Sequence, residues 1–184
     1  QNFAIKKILT SSASAKSPFY REIISELKRK PDQWQTLASG DQLGVWTILH
    51  PHDSDQFSQA DDNAVVLRGN FYSKSILLLS DLGRPGQNAL LERHPDLRAD
   101  IVVAGLPAQG EPLSDALLVK VQPSLIIITD SEFPATARAP HKLRDRLARQ
   151  KTKVIYCRNA GAITLSFGPD GFRIQPALSS PPTH

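Results

Sequence analysis

The sequence predicts an α/β fold built on a mixed sheet, and three observations predict it. Pairs of short apolar runs resembling hairpins fill the first half of the chain and close its end. Between them strand-like and helix-like runs alternate three times. The middle strand-like runs, "SILLLSD", "ADIVVAG" and "SLIIITD", are continuously apolar and do not alternate with polar residues. Continuous apolar strands belong in a sheet covered on both faces. Strand–helix alternation implies parallel neighbours joined by crossover helices.

The elements follow in order. "FAIKKILT" (3–10) alternates enough to be a strand, and "SASAKSP" is a loop. "FYREIISELKRK" puts Tyr20, Ile23, Ile24 and Leu27 on one face at helical spacing, and Pro31 ends it. "WQTLA" and "LGVWTILHP" flank Ser39-Gly40-Asp41-Gln42, which reads as a hairpin. Residues 50–63, "HPHDSDQFSQADDN", have no apolar period and read as a polar surface loop. "AVVLRG" and "SILLLSD" form a second hairpin around "NFYSK". "PGQNALLERH", "SDALLVKVQ" and "APHKLRDRLARQ" are helices; "ADIVVAG", "SLIIITD" and "KVIYCR" are strands. "AITLSFGPDGFRIQPA" makes a last hairpin. Residues 1–176 are expected to form one domain, with 177–184 a loose tail.

The bulk properties narrow the function classes. A chain of 184 residues buries about 70% of its unfolded surface, so a full core is expected. No apolar run approaches the ~20 residues of a membrane span, so direct membrane insertion is not expected. No basic-then-apolar leader opens the chain. The absence of methionine leads us to expect a chain processed or excised from a longer one. One cysteine, Cys157, sits in an apolar run and reads as a small buried hydrophobe. A net charge of +4 permits a polyanionic partner without requiring one.

Ligands of open α/β sheets gather at the carboxyl ends of the strands. Asp81, the loop after "ADIVV", and Thr129-Asp130-Ser131 lie there, so Asp81 and Asp130 are expected on one rim. Asp81 precedes a glycine turn and a helix, so it is either a site carboxylate or an ordinary N-cap. His50 and His52 flank a proline at the start of the polar loop. His94 ends a helix, where a cation suits the dipole, and His141 opens one. No serine elbow and no phosphate-binding glycine loop is present.

The order "GVWTILHP", polar loop, "SILLLSD", "ADIVVAG", "SLIIITD" and "RAPHKLRDRLARQ" resembles the second half of the metallo-β-lactamase-like domain of ComEC-type competence proteins, which internalise DNA. The resemblance implies a metallo-β-lactamase-like layered sandwich with a mixed sheet, incomplete on its amino-terminal side. In that family a strand ends in Gly-Asp, where Asp binds metal; Ser80-Asp81 stands there. A His-His-Gly-Ser turn is replaced by Ala108-Gln109-Gly110-Glu111. The last family histidine is replaced by Ala139, before Pro140, with His141 displaced by two positions. The His-x-His-x-Asp-His string does not occur. Asp81 is thus a vestigial ligand position, and Ala108, Gln109 and Ala139 are lost ones. A single carboxylate does not hold a transition metal, so no cofactor and no catalytic residue is expected, and Asp81 should cap the "PGQNALL" helix.

The implied function is a non-catalytic module of a membrane DNA-uptake protein, contacting translocating DNA or supporting the channel. The implied setting is a soluble domain of an inner-membrane protein on the extracytoplasmic side, beside the parent's transmembrane region. Pairing of two copies is a further expectation, because a thin sandwich leaves strands to cover. One alternative is a phosphodiesterase or nuclease using zinc or manganese, completed by ligands outside this chain. Another is a protein-interaction domain with no nucleic-acid role. For DNA contact the candidates are Arg138, Lys142, Arg146, Arg149 and Lys153, with Lys142, Arg146 and Arg149 expected along one outer stripe of the last long helix.

Overall fold

The computed structural model describes residues 5–11 and 17–178. Strand β1 (Ile8–Ser11) leads to helix α1 (Pro18–Lys28). Ser17 caps α1 by accepting a bond from the Tyr20 amide (3.4 Å), and Pro18 starts it, where a missing N–H costs nothing. Strand β2 (Trp34–Leu37) returns beside β1 in parallel, Ile8 facing Trp34. "WQTLA" is therefore not half of a hairpin, as the sequence predicts. The α1 crossover carries it back to β1, and the hairpin is β3 (Gln42–Leu43) with β4 (Trp46–His50), turning at Gly44-Val45. Gly44 has φ +59°, a left-handed value that suits glycine. Residues 3 and 4 of the predicted first strand, and 12–16 of the predicted loop, lie outside the described residues.

The remaining elements run β5 (Val66–Phe71), β6 (Lys74–Leu78), α2 (Arg84–Arg93), β7 (Ile101–Ala104), α3 (Asp115–Val121), β8 (Leu125–Ile128), α4 (His141–Ala148), β9 (Lys153–Tyr156), α5 (Cys157–Ala160), β10 (Ile163–Gly168) and β11 (Gly171–Pro176). Cys157 opens a helical turn instead of continuing a strand, and is half-buried.

Strands β3 to β9 form one seven-stranded sheet in sequence order, antiparallel from β3 to β6 and parallel from β6 to β9. This is the mixed α/β sheet that the apolar runs predict. Strand alternation sends Leu77, Val102 and Ile126 to one face, where Leu90 of α2, Leu117 of α3, and Leu143 and Leu147 of α4 cover them. Ile76, Ile101, Leu125 and Ile127 point to the other face. There the β10–β11 hairpin lies on the sheet through Leu165, Phe167 and Ile174, with Phe167 stacked on Phe71 at 5.0 Å between centroids. Leu78, Val103 and Ile155 on this second face are only half-buried, so its cover is thinner than that of the helical face.

The predicted tail starts against the domain. The amides of Ala177 and Leu178 donate to the carbonyls of Ala162 (2.7 Å) and Ala160 (2.9 Å). Residues 179–184 lie outside the described residues. Among the described residues no helix is long and apolar enough to cross a membrane.

Candidate functional site

The carboxyl ends of β6, β7 and β8 form a rim, and the carboxylates there have separate partners. Asp81 is exposed, and its Oδ1 accepts a bond from its neighbour Ser80 (3.0 Å). Ser80 sits at φ +51°, so the position favours glycine sterically although serine occupies it. The Ser80 carbonyl accepts the Gly105 amide at 2.6 Å, pinning the end of β6 to the end of β7. Asp130 is 4% exposed and works as a strut. It accepts the amides of Arg158 (3.0 Å) and Ala139 (3.4 Å), joining β8 to the segment before α4 and to α5.

The expectation that Asp81 caps α2 needs correction. The N-cap position is Gly83, which has no side chain. The carboxylate at this helix start arrives from the β4–β5 loop: Asp62, 6% exposed, stands against Gly83, and burial holds its pKa above the ordinary range although the Gly86 amide draws it down. Glycine is required at Gly86 and favoured at Gly83. A Cβ on Gly83 would collide with the Asp62 carboxylate, and one on Gly86 would stand 2.7 Å from the Asp62 carbonyl. The neighbouring Asp61 does two further jobs. Its carbonyl accepts the Gly83 amide (3.1 Å), and its Oδ2 accepts the Ala108 amide (2.6 Å).

The polar loop is likewise not a free surface loop. His50 is fully buried, with Phe57 against its ring at 5.7 Å between centroids. Its Nε2 donates to the Asp62 carbonyl at 2.7 Å. Its Nδ1 faces Asp55 at 3.6 Å and has no hydrogen-bond partner. Asp55 is gripped by both terminal nitrogens of Arg93 on α2, one at 2.8 Å. His52 instead bonds Ser54 (2.8 Å), so the two histidines serve different partners. His94 bonds the Leu49 carbonyl (2.9 Å), and His141 is exposed. Among the described residues no three His, Cys, Asp or Glu side chains group as metal ligands.

Burial pushes His50 below the ordinary 6.5, and the Asp62 bond and Asp55 charge do not overcome it. Burial also pushes the Asp55 carboxyl up. The Arg93 pair, the His52 amide and the nearby positive charge together outweigh this and hold it below its ordinary range.

Ala108 and Gln109 are exposed, and Ala139 is 6% exposed. The loop they begin is closed by Arg146. Its guanidinium reaches Glu111 (3.1 Å), the Pro112 carbonyl (3.0 Å), the Leu113 carbonyl (2.8 Å) and Asp115 (2.9 Å). Gln87 of α2, 1% exposed, bridges from the Leu82 carbonyl to the Ser114 amide, each at 2.9 Å.

Arg146 therefore leaves the expected outer stripe: it is turned inward and only 15% exposed in its side chain. Lys142 is 86% exposed and 3.3 Å from Glu111. Arg149 and Lys153 are exposed. Arg138 is paired with Glu132 at 2.6 Å and lies over Phe133. The Asp62 cap and the Arg146 clasp were missed in the sequence because both join segments far apart in the chain. Neither carries a local signal, since the burial of Asp62 and Arg146 follows only from packing.

No protein-family model matches this chain, and no curated protein matches it.

Two outcomes follow from this geometry. Asp62→Ala should cost about 1–2 kcal/mol in urea unfolding, because the Gly86 amide loses its acceptor. Asp81→Ala should stay within about 0.5 kcal/mol. Equal losses would return the cap to Asp81.

The second concerns pH. A histidine held below its unfolded pKa takes up its proton more readily when the chain unfolds. Its contribution is complete above about pH 6.5 and declines as pH falls through that value toward the folded pKa. Stability of the wild type should drop between about pH 7 and 5, and His50→Gln should show a shallower drop. Parallel curves would show that His50 is not responsible.

Proposed function

We propose that this chain is a non-catalytic module of the metallo-β-lactamase type within a ComEC-type membrane DNA-uptake protein, on the extracytoplasmic side. In this reading it contacts translocating DNA or supports the channel. The observation that carries it is the condition of the rim. The loop with Ala108 and Gln109, at the positions of family histidines, is tied down by the protein's own groups: Asp61 on the Ala108 amide, Arg146 on Glu111 and on the Pro112 and Leu113 carbonyls. Asp81 stands beside it at the end of β6, where Ser80 bonds its carboxylate. The rim is thus braced by the protein's own hydrogen bonds, which supports a structural role for these loops.

The seven-stranded mixed sheet, with its helices gathered on one face, supports the fold part of this reading. The half-buried Leu78, Val103 and Ile155 suit a covering surface from the parent protein's neighbouring region or a second copy.

Adding zinc or manganese should leave the melting temperature unchanged, since a ligand raises stability only by binding the folded state. A rise of several degrees at micromolar metal would favour the phosphodiesterase reading instead.

DNA contact falls to Lys142, Arg149 and Lys153, with Arg138 held by Glu132 at their margin. Affinity for a short single strand should fall steeply with salt and ignore base sequence. Neutralising Lys142, Arg149 and Lys153 together should reduce the salt slope by about 2 units, measured by fluorescence anisotropy. Arg146 stays unchanged in that variant because it holds the 111–115 loop. Absence of binding by the wild type at low salt would remove the DNA role.

A further inference from the structure

The 51–63 segment between β4 and β5 has little apolar surface to hold it. From His52 to Ala60 only Asp55 and Phe57 are turned in from solvent; the other residues of that stretch are exposed. A segment held by a few polar bonds is the kind of element that opens on its own, ahead of the core. His50 is the centre of those bonds. Its ring is fully buried, packs against Phe57 and donates from Nε2 to the Asp62 carbonyl at 2.7 Å. Asn63 closes the segment on itself by donating to the carbonyls of Phe57 (3.2 Å) and Gln59 (2.9 Å). Asp61 then takes the Gly83 amide at the start of α2 and the Ala108 amide after β7.

The other nitrogen of His50 is the weak point. Nδ1 is buried, has no hydrogen-bond partner among the described residues and stands 3.6 Å from Oδ2 of Asp55. That oxygen is already in use: it accepts the Arg93 guanidinium at 2.8 Å and the His52 amide at 2.9 Å. A proton on Nδ1 would put a charged N–H in a dry site, facing an acceptor shared by two donors, one of them a cation. To bond it, Asp55 must leave Arg93 or the His52 amide, and either move loosens the segment at its anchor. The charged groups facing His50 are Asp55 and Asp62 from the segment itself and Arg93 from α2. Burial opposes the charged imidazole most strongly and Arg93 adds to it, against the Asp62 carbonyl bond and the two carboxylates.

We propose that residues 51–63 form a strap over the start of α2, closed while His50 is neutral and released when His50 takes up a proton. Release brings the imidazolium into water, frees Asp61 from the Gly83 and Ala108 amides and uncovers the first turn of α2. The direction follows from linkage. An imidazole that charges more readily in the open form drives opening as pH falls through its open-state pKa of about 6.5. Asp62 acts in the opposite sense: burial raises its carboxyl, so it favours the closed form in acid and loses that contribution as pH rises. Burial also pushes the Asp55 carboxyl up, but Arg93 and the His52 amide outweigh this, so Asp55 stays charged through the window. The inference rests on the His50 site and is independent of the DNA reading.

The test is hydrogen exchange followed by NMR on the whole chain at about pH 7.5 and about pH 5.5, with rates corrected for the intrinsic pH dependence of exchange. The reporters are the amides of His52, Gly83 and Ala108, each of which donates to an acceptor in the strap. Their protection should fall about five- to tenfold at the lower pH, while the amides of β7 and β8 keep theirs. His50→Gln keeps a donor for the Asp62 carbonyl but does not titrate, so its protection should be equal at both pH values. It also retains His52 and His94, the latter bonded to the Leu49 carbonyl, which separates their titration from that of His50. Unchanged protection in the wild type, an equal loss in β7 and β8, or the same loss in His50→Gln would each overturn the proposal. Should His50→Gln not fold, a pH series on the wild type decides. Protection that starts to fall near about pH 6.5, by no more than about tenfold per pH unit, supports the strap. A loss that begins only below about pH 5 assigns the opening to carboxylates and overturns it.

Discussion

The first turn of α2 opens with Gly83, Arg84 and Pro85, none of which supplies a capping oxygen, so the Gly86 amide must find its acceptor elsewhere. The Asp62 carboxylate stands at this helix start, against Gly83, and draws on the Gly86 amide. To reach α2, the β4–β5 loop must pass close to the helix, which the bare backbone of Gly83 and Gly86 permits. Once there, Asp61 holds the Gly83 amide and the Ala108 amide. One pair of adjacent aspartates thus fixes a loop, a helix start and the segment after β7.

That pair is itself held from below. His50 at the end of β4 donates to the Asp62 carbonyl, and Asp55 from the same loop is locked by Arg93 at the far end of α2. The loop is therefore fastened to both ends of α2. A buried neutral imidazole fits this role, because it donates one bond without bringing an uncompensated charge into the interior. Arg146 does the same on the other side of the rim, where four acceptors of the 111–115 loop converge on one guanidinium. The Asp61–Asp62 and 111–115 segments at this rim are thus held by internal hydrogen bonds.

The two faces of the sheet are covered differently. Three helices cover most of one face, whereas a single hairpin anchored on Phe71 serves the other. The cations of α4 divide accordingly. Arg146 is consumed by structure, Lys142 is shared with Glu111, Arg144 lies over the Tyr156 ring, and beyond the helix Arg149, Lys151 and Lys153 are exposed. Charge on a helix is a poor guide to function until its partners on neighbouring loops are known.

The sequence by itself determined the strands and helices of the second half. "SILLLSD", "ADIVVAG" and "SLIIITD" are short, continuously apolar and bounded by polar residues, and the amphipathic runs between them carry leucines at helical spacing. Such patterns encode local structure because burial depends on each segment's own side chains. What tertiary structure decided was pairing over distance. Trp34–Leu37 joined β1 because the α1 crossover delivered it there, although a nearer partner lay just downstream. Asp62 displaced Asp81 as the cap of α2, and Arg146 turned from the expected outer stripe to the 111–115 loop. A hydrogen bond needs only an acceptor within reach of a donor, and residues far apart in sequence come within reach only after the apolar segments have packed.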